Sequence, residues 1–324
     1  STFPSASLSY SNDETVNSAL TGCYSPLLNY SFFGSDYATI FATCGGTITN
    51  QSSSYVSMRA QKVTPDNKYI GRHFQYHYLV ISYCNDLLDK INASGASDEL
   101  KTRAKGEAHL LRGMMYFNLV RAFGGVPLRI SPTTSTTLDL PRSTVDETYK
   151  QIISDLNEAA TELPEKNPVT GRPNKYAAHA LLAKVYITMA NGVANSEYWQ
   201  KCLDECNQVY GHFSLVPIKE LYNPTNRNCV ESIIEIQFSD VIGNTWTQGI
   251  APTLSDYTPN QTSAPYARYR PSRYIFDTWK AQYPGDPRFE ETFIYNSYTT
   301  GGGKETVQIY PLYNNPNGSS KNYP

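Results

Sequence analysis

The chain has 324 residues, 27 basic and 29 acidic side chains, a net charge of −2 and only 17% charged residues. That balance removes any electrostatic drive toward nucleic acid or an anionic membrane surface, and the length allows one large domain or two ordinary ones. Tyr occurs 26 times, and its flat apolar ring with a hydrogen-bonding tip suits contact with neutral polar ligands.

In chain order, Ser11-Asn12-Asp13-Glu14 reads as a helix start, followed by Val16, Ala19, Leu20, Cys23 and Leu27 at helical spacing. Residues 29–67 are rich in Gly, Ser, Thr and aromatics and show no sustained period, which predicts a long irregular segment. Helical spacing resumes over 68–92. Gly95 breaks it, and Ser97-Asp98-Glu99 is placed to cap a second helix, 98–122, antiparallel to the first. This second helix carries the densest pattern in the chain, AKGEAHLLRGMMYFNLVRAFGGVPL over 104–128. It is apolar around most of its girth, so it belongs between neighbours on two sides, and Gly124, Gly125 and Pro127 stop it. Glu107 and Arg121 interrupt its apolar sides; each needs a partner from elsewhere, because a lone buried charge is costly.

Thr144 with Glu147 is a capping box opening a helix over 145–162. Pro164, Pro168 and Gly171 mark the turn to an Ala-bearing helix over 175–190, and a further pair begins with 196–210. Helix pairs recurring about every 35–50 residues predict a tetratricopeptide-like array. Beyond 211 the pattern fades. VESIIEIQFS (230–239) reads as a strand, 240–275 as a loop holding Trp246, Tyr257, Tyr266, Tyr269 and Tyr274, 272–280 as a short helix, and 285–293 as a turn leading into a helical or extended piece. Residues from 296 on read as surface loops.

The motifs of known chemistry are weak. Gly301-Gly302-Gly303-Lys304 lacks the first Gly and the final Ser or Thr of a phosphate loop and reads as a turn. His73 and His77 have a metal-compatible spacing but no Glu after His73 and no indicated third ligand, so they read as structural or surface groups. Asp36, Asp240, Asp256 and Glu290 could pair in space, but the separation a glycosidase requires is not visible in a sequence. None of the six cysteines forms a CxxC pair; they read as small buried side chains, though an even count permits disulfides in an oxidising compartment. Cofactors, metals and catalytic residues are therefore not expected. No run of about 18 apolar residues suggests a transmembrane helix, and no signal peptide precedes Ser1, as in a processed or trimmed chain.

The aromatic-rich segments carry the functional signal. Rings from about 30–76 (Phe33, Tyr37, Tyr55, Tyr69) and about 240–275 (Trp246, Tyr257, Tyr266, Tyr269) can stack on sugar faces while Asn, Gln and Arg bond the hydroxyls. The structural alternative is that these rings pack the loops onto the helices.

The segment EAHLLRGMMYFNLVRAFGGVPL (107–128) resembles the signature of the SusD/RagB family of outer-membrane nutrient-binding lipoproteins. PRSTVDETYKQIISDLNEAATELP (141–164), GRPNKYAAHALLAKVYITMAN (171–191), VESIIEIQFS, RPSRYIFDTW (270–279), GDPRFEETF and NDETVNSALTGCYSPL (12–27) agree in the same order. The resemblance implies a mostly α, SusD-like domain over 1–324, with a helical scaffold at about 68–210 and ligand loops at about 30–76 and 240–275. It implies no catalysis, a glycan ligand (peptides in some members), and a SusC-like TonB-dependent transporter as partner. It also implies an outward-facing place on the outer membrane through an N-terminal lipid anchor missing from this chain. Family members usually carry a further helical section, so a fragment or a short member is expected. By region, the resemblance puts the ligand contacts among Trp246, Tyr257, Tyr266, Tyr269, Tyr37 and Tyr55. Two other readings predict different behaviour: a helical-repeat scaffold that binds a peptide or protein in its groove, and a glycoside hydrolase.

Overall fold

The computed structural model describes residues 10–50, 55–134, 139–221, 225–238, 269–292, 298–299 and 306–307. Its elements are mostly helical and fall into two compact units. The first holds residues 1–28, 72–216 and 225–238; the second holds 29–71, 217–224 and 239–324.

The first unit is built on α5 (Asp98–Phe123), whose neighbours are α1 (Asp13–Tyr24), α4 (Lys68–Lys90) and α6 (Val145–Glu162). α7 (Lys175–Ala190) then packs on α6, and α8 (Tyr198–Val209) on α7. Each helix thus meets the next, as in a stack of hairpins. The start of the α4–α5 hairpin meets its end, with His73 against Phe123, while Asn85 meets Arg112 at mid-helix, so the two helices run antiparallel.

Close packing of α5 on α6 depends on small residues. A Cβ at Gly106 would lie 2.9 Å from Leu163 Cγ, and one at Gly113 would lie 3.1 Å from Leu156. Leu110, Ala159, Leu163, Ala177 and Ala178 form the apolar contact that links α5, α6 and α7. The two glycines that end α5 have different reasons. Gly124 has φ 72°, a conformation other residues rarely adopt, and a Cβ on Gly125 would lie 2.0 Å from the Ser143 carbonyl oxygen.

The capping box at Thr144 is present: its Oγ1 accepts from Glu147 N at 3.1 Å, and Glu147 accepts from Thr144 N at 2.7 Å. Asn12 caps α1 in the same manner with Thr15. Ser97 differs from expectation. Its backbone N and hydroxyl donate to the Asp13 carboxylate at 2.6 and 3.0 Å, so it ties α5 to α1 instead of capping its own helix. Arg121 also differs. It is exposed, lies 4.2 Å over the Phe117 ring and donates to Asn118 Oδ1 at 2.7 Å, all within α5. Residues 230–238 do not form a strand. No ladder partner lies beside them among the described residues, and Ile233 and Ile234 instead lie on the α5–α6–α7 apolar cluster.

His73 and His77 are 2% and 0% exposed, with ring centroids 4.2 Å apart. Burial pushes the His73 pKa down to about 4, and burial followed by the charges of His73 and Arg121 holds His77 well below its usual value. Both rings are therefore neutral in the folded protein, while the unfolded chain takes up protons below about pH 6.5. Protonation then favours unfolding, so stability falls as the pH drops from about 6.5 to about 4, by about 3 kcal/mol from His73 alone. Denaturant melts across that window should show the loss, and His73→Leu should make it shallower, leaving the share of His77. Parallel pH curves for variant and wild type would reject the assignment.

Candidate functional site

The second unit begins where the chain leaves α1. A short turn, Ser25–Leu28, gives way to a π-helical turn, Tyr30–Gly34, and then to α2, Asp36–Cys44. Residues 29–67 are therefore not irregular throughout. The aromatic content hides a helical period, because Phe33, Tyr37 and Phe41 recur four apart and line one side of this segment. Phe33 and Tyr37 stack with centroids 4.3 Å apart, and Tyr37 lies 5.0 Å from Phe41. Phe32, fully buried, abuts Phe33 edge-on at 4.5 Å and roots the row. Tyr30 and Phe41 are each 40% exposed, and Tyr37 and Phe33 are half-buried.

A ladder fixes this segment to a distant one. β1 (Ile48–Asn50) pairs antiparallel with β2 (Tyr269–Pro271), in the register Ile48↔Pro271, Thr49↔Arg270, Asn50↔Tyr269. Ser272 N extends the pairing by donating to Thr47 O at 2.9 Å. The two aromatic-rich stretches, more than 200 residues apart in sequence, are thus joined backbone to backbone within one unit. Neither β1 nor β2 is recognisable from sequence, since each is three residues long.

Tyr55, expected at the ligand surface, is only 5% exposed. Its ring stacks on Tyr69 at 4.4 Å, beside Ile40 and Met58, and its hydroxyl donates to Asp36 Oδ1 at 3.2 Å. Here the packing role holds: Tyr55 braces α2 against the start of α4. Of the other expected site residues, Tyr37 lies in the aromatic row, and Tyr269 occupies the last ladder position opposite Asn50. Trp246, Tyr257 and Tyr266 lie outside the described residues, as do Asp240 and Asp256.

After β2, Ser272 caps α10 (Arg273–Gln282), its Oγ accepting from Ile275 N at 3.2 Å. The turn that follows is held by Asp286, which accepts from Arg288 Nη2 at 2.6 Å and from Trp279 Nε1 at 3.2 Å. The Arg288 guanidinium and backbone hold the Asp286 carboxyl well below the usual carboxylate range. α11 (Pro287–Thr292) then seats Phe289 against Phe276, centroids 5.0 Å apart. A concavity of about 260 Å³ lies here, with Lys280, Tyr283, Asp286 and Phe289 among its walls; it is smaller than a pocket that encloses a drug-sized ligand. Tyr274 and Tyr283 are exposed on the same stretch.

The geometry offers aromatic edges and faces with neutral polar neighbours. Among the described residues no group of three or more His, Cys, Asp or Glu is arranged to hold a metal, and no helix is long and apolar enough to cross a membrane. The strip from Tyr30 to Phe41 has one charged side chain, Asp36, which is buried and bonded to Tyr55. Such a surface recognises by apolar contact and hydrogen bonds.

Comparison with known proteins places this architecture. A family model, SusD-like, described as starch-binding and associating with the outer membrane, matches residues 8–187. A SusD-like protein P25 of Formosa agariphila is 25% identical over 257 residues, covering 74% of this chain and 47% of that protein. A SusD-like protein of Bacteroides ovatus is 25% identical over 245 residues, covering 71% and 43%. The chain thus spans less than half the length of these relatives. Among solved structures, a SusD superfamily protein of Parabacteroides distasonis superposes with a TM-score of 0.75 at 25% identity, over 85% of this chain and 61% of that one. A structure titled laminarin binding SusD-like protein gives 0.74 at 24% identity, over 89% and 67%. With more than half of its residues matched by the family model and a superposable helical stack, the chain belongs to the SusD-like family.

Proposed function

We propose that this chain binds a neutral oligosaccharide without altering it, through the aromatic row of α2 and the segment its ladder joins. The observation that carries this reading is the β1–β2 pairing, which ties the two aromatic-rich stretches to each other in the unit that also carries the rings of Phe33, Tyr37 and Phe41. The family description as starch-binding and the laminarin-binding title of a structural neighbour support a glycan as the ligand class. In this reading Trp246, Tyr257, Tyr266 and Tyr269 contribute further rings. The protein is tethered to the outer membrane by an N-terminal lipid anchor, faces outward, and passes its ligand to a SusC-like TonB-dependent transporter. The whole chain acts as one ligand-presenting domain, with 68–210 as its scaffold.

Calorimetry against starch and laminarin oligosaccharides tests the reading. An aromatic stacking contact is worth about 0.5–1.5 kcal/mol, so Phe41→Ala is expected to weaken binding by about two- to tenfold. Tyr37→Ala should do so by at least as much, because it also unseats its stacked neighbours. Far-UV circular dichroism confirms that the helices remain. No heat with any glycan, or unchanged affinity in both variants, sinks the proposal; release of shortened sugars would make the protein a hydrolase.

The second reading, a helical-repeat scaffold for a peptide or protein, is favoured by one observation. Trp199, Leu203 and Tyr210 are 39%, 53% and 88% exposed along one side of α8 and just beyond its end. It predicts that Leu203→Asp abolishes partner binding while Phe41→Ala leaves it intact.

A further inference from the structure

The second unit holds a concavity that the aromatic row does not use. It lies at the turn between α10 and α11 and measures about 260 Å³. Its walls include the exposed Tyr283, Pro284 and Pro287, the buried Phe289, and the polar side chains Lys280 and Asp286.

Those walls are held from several directions. Asp286, whose side chain is 9% exposed, accepts from Arg288 N and Nε at 2.9 Å each on Oδ1. Its Oδ2 accepts from Trp279 Nε1 at 3.2 Å and Arg288 Nη2 at 2.6 Å. The backbone adds Tyr283 N to Trp279 O at 2.9 Å and Phe289 N to Asp286 O at 3.0 Å, and the two prolines fix φ in the same short turn. Phe276, Phe289 and Trp279 pack together behind it. A wall set in this way needs little ordering when a ligand enters.

The lining selects the ligand. The Arg288 guanidinium neutralises Asp286 within the wall, so the carboxylate does not call for a cation. Tyr283, 57% exposed, brings a ring face and a hydroxyl, and the prolines extend the apolar surface. Lys280, with Nζ 5.9 Å from the Phe276 ring centroid, brings N–H donors. One flat apolar side, hydrogen-bonding groups beside it and a volume below that of a drug-sized pocket suit a single sugar ring. We propose that this concavity is a second saccharide subsite, taking one pyranose unit with its C–H face on Tyr283 and its hydroxyls toward Lys280. The choice of a sugar rests on the glycan reading above; the place and the residues do not.

The full chain has three tryptophans, Trp199, Trp246 and Trp279, so a nitrogen–proton correlation spectrum carries three indole signals. That of Trp279, bonded to Asp286 in the pocket wall, is assigned with Trp279→Phe. The probes are methyl α-glucoside and methyl β-glucoside, the ring units of starch and laminarin, titrated into the tens of millimolar. The Trp279 signal should move saturably, while that of Trp199, on α8 in the first unit, stays in place. Tyr283→Ala should weaken the response about two- to tenfold, Lys280→Met should also weaken it, and Tyr283→Phe should retain most of it. Far-UV circular dichroism and the unliganded Trp279 signal confirm that the variants keep the fold. A Trp279 signal silent to both glucosides, an equal response in Tyr283→Ala, or a response to inorganic phosphate alone overturns the subsite. Calorimetric heat with oligosaccharide beside a silent Trp279 removes the subsite and leaves the aromatic row standing; a Trp279 response without that heat does the reverse.

Discussion

Arg112→Ala should destabilise the first unit by about 3–5 kcal/mol, because it leaves a buried carboxylate without its counter-charge. Asp155 is 2% exposed and Arg112 6%. Arg112 Nε and Nη2 donate to the two Asp155 oxygens at 2.9 and 2.7 Å, a planar fork that lysine could not reproduce. The remaining Nη1 donates to Asn85 Oδ1 at 2.8 Å and to the Ile130 carbonyl at 3.2 Å. Asn85 in turn donates to the carbonyls of Arg129 and Ser131 at 2.9 and 3.2 Å. One guanidinium therefore joins α4, α5, α6 and the connection that follows Gly124-Gly125. Burial disfavours its charge, but hydrogen bonds and charge from Asp155 outweigh this and raise its pKa above the ordinary arginine value.

Urea unfolding followed by circular dichroism checks the expectation, with the loss read from the midpoint at constant slope. Arg112→Met combined with Asp155→Leu should recover much of it, since replacing both partners removes the orphaned charge. A single substitution that shifts stability by under 1 kcal/mol, or a double variant no better than the single, would show that apolar packing suffices to hold the three helices.

This pair also shows what the sequence could reveal and where it stopped. The period, the capping box at Thr144 and the stop at Gly124 place α5, α6 and α7 to within a residue or so, because local chemistry determines those boundaries. The partner of Arg112 lies 43 residues away, and no local rule names it. The structure departs from the sequence expectation where distant groups override a local preference. Ser97 has the chemistry of a cap, but Asp13, 84 residues distant, accepts from its hydroxyl. Val230–Phe238 has the composition of a strand, yet no ladder partner lies beside it among the described residues, and Ile233 and Ile234 lie on the helices instead. In the candidate site Phe33, Tyr37 and Phe41 stand four apart, but the surrounding glycines, serines and threonines obscure that spacing, and the segment reads as irregular from sequence. The inward turn of Tyr55 depends on the position of Asp36 and Tyr69, which only the folded chain determines.

Glu107→Ala should be about as damaging as Arg112→Ala, and Glu107→Gln only somewhat less, since Gln keeps the shape and loses the charge. Glu107 is 0% exposed, and each of its two oxygens accepts two hydrogen bonds. Oε1 accepts from Arg103 Nη1 at 2.8 Å and Asn167 Nδ2 at 3.0 Å; Oε2 accepts from Tyr24 OH at 2.7 Å and Arg172 Nη1 at 3.0 Å. Arg172 also stacks 3.8 Å from the Tyr24 ring, and Arg103 reaches back to Asn17 at 3.1 Å. The carboxylate is thus the shared acceptor of α1, α5 and the turn leading into α7. An amide there would point two N–H donors at a cluster composed of donors and leave two guanidinium groups without a neutralising partner, a penalty of about 2–4 kcal/mol.

The surface pair Lys201–Glu197, with side chains 45% and 68% exposed, is the comparison. Glu197→Gln should change stability by less than about 1 kcal/mol. The burial of Glu107 also makes its effect local before it is global. Hydrogen exchange should rise first in Thr21–Tyr24 and in 167–173, the segments its donors come from, and later in α6. If Glu107→Gln melts with the wild type and protects those amides equally, the apolar contacts of Val16, Leu20 and Cys23 hold α1 to α5 unaided. The shape that Gln retains, not the charge of Glu107, would then be what the helix stack requires.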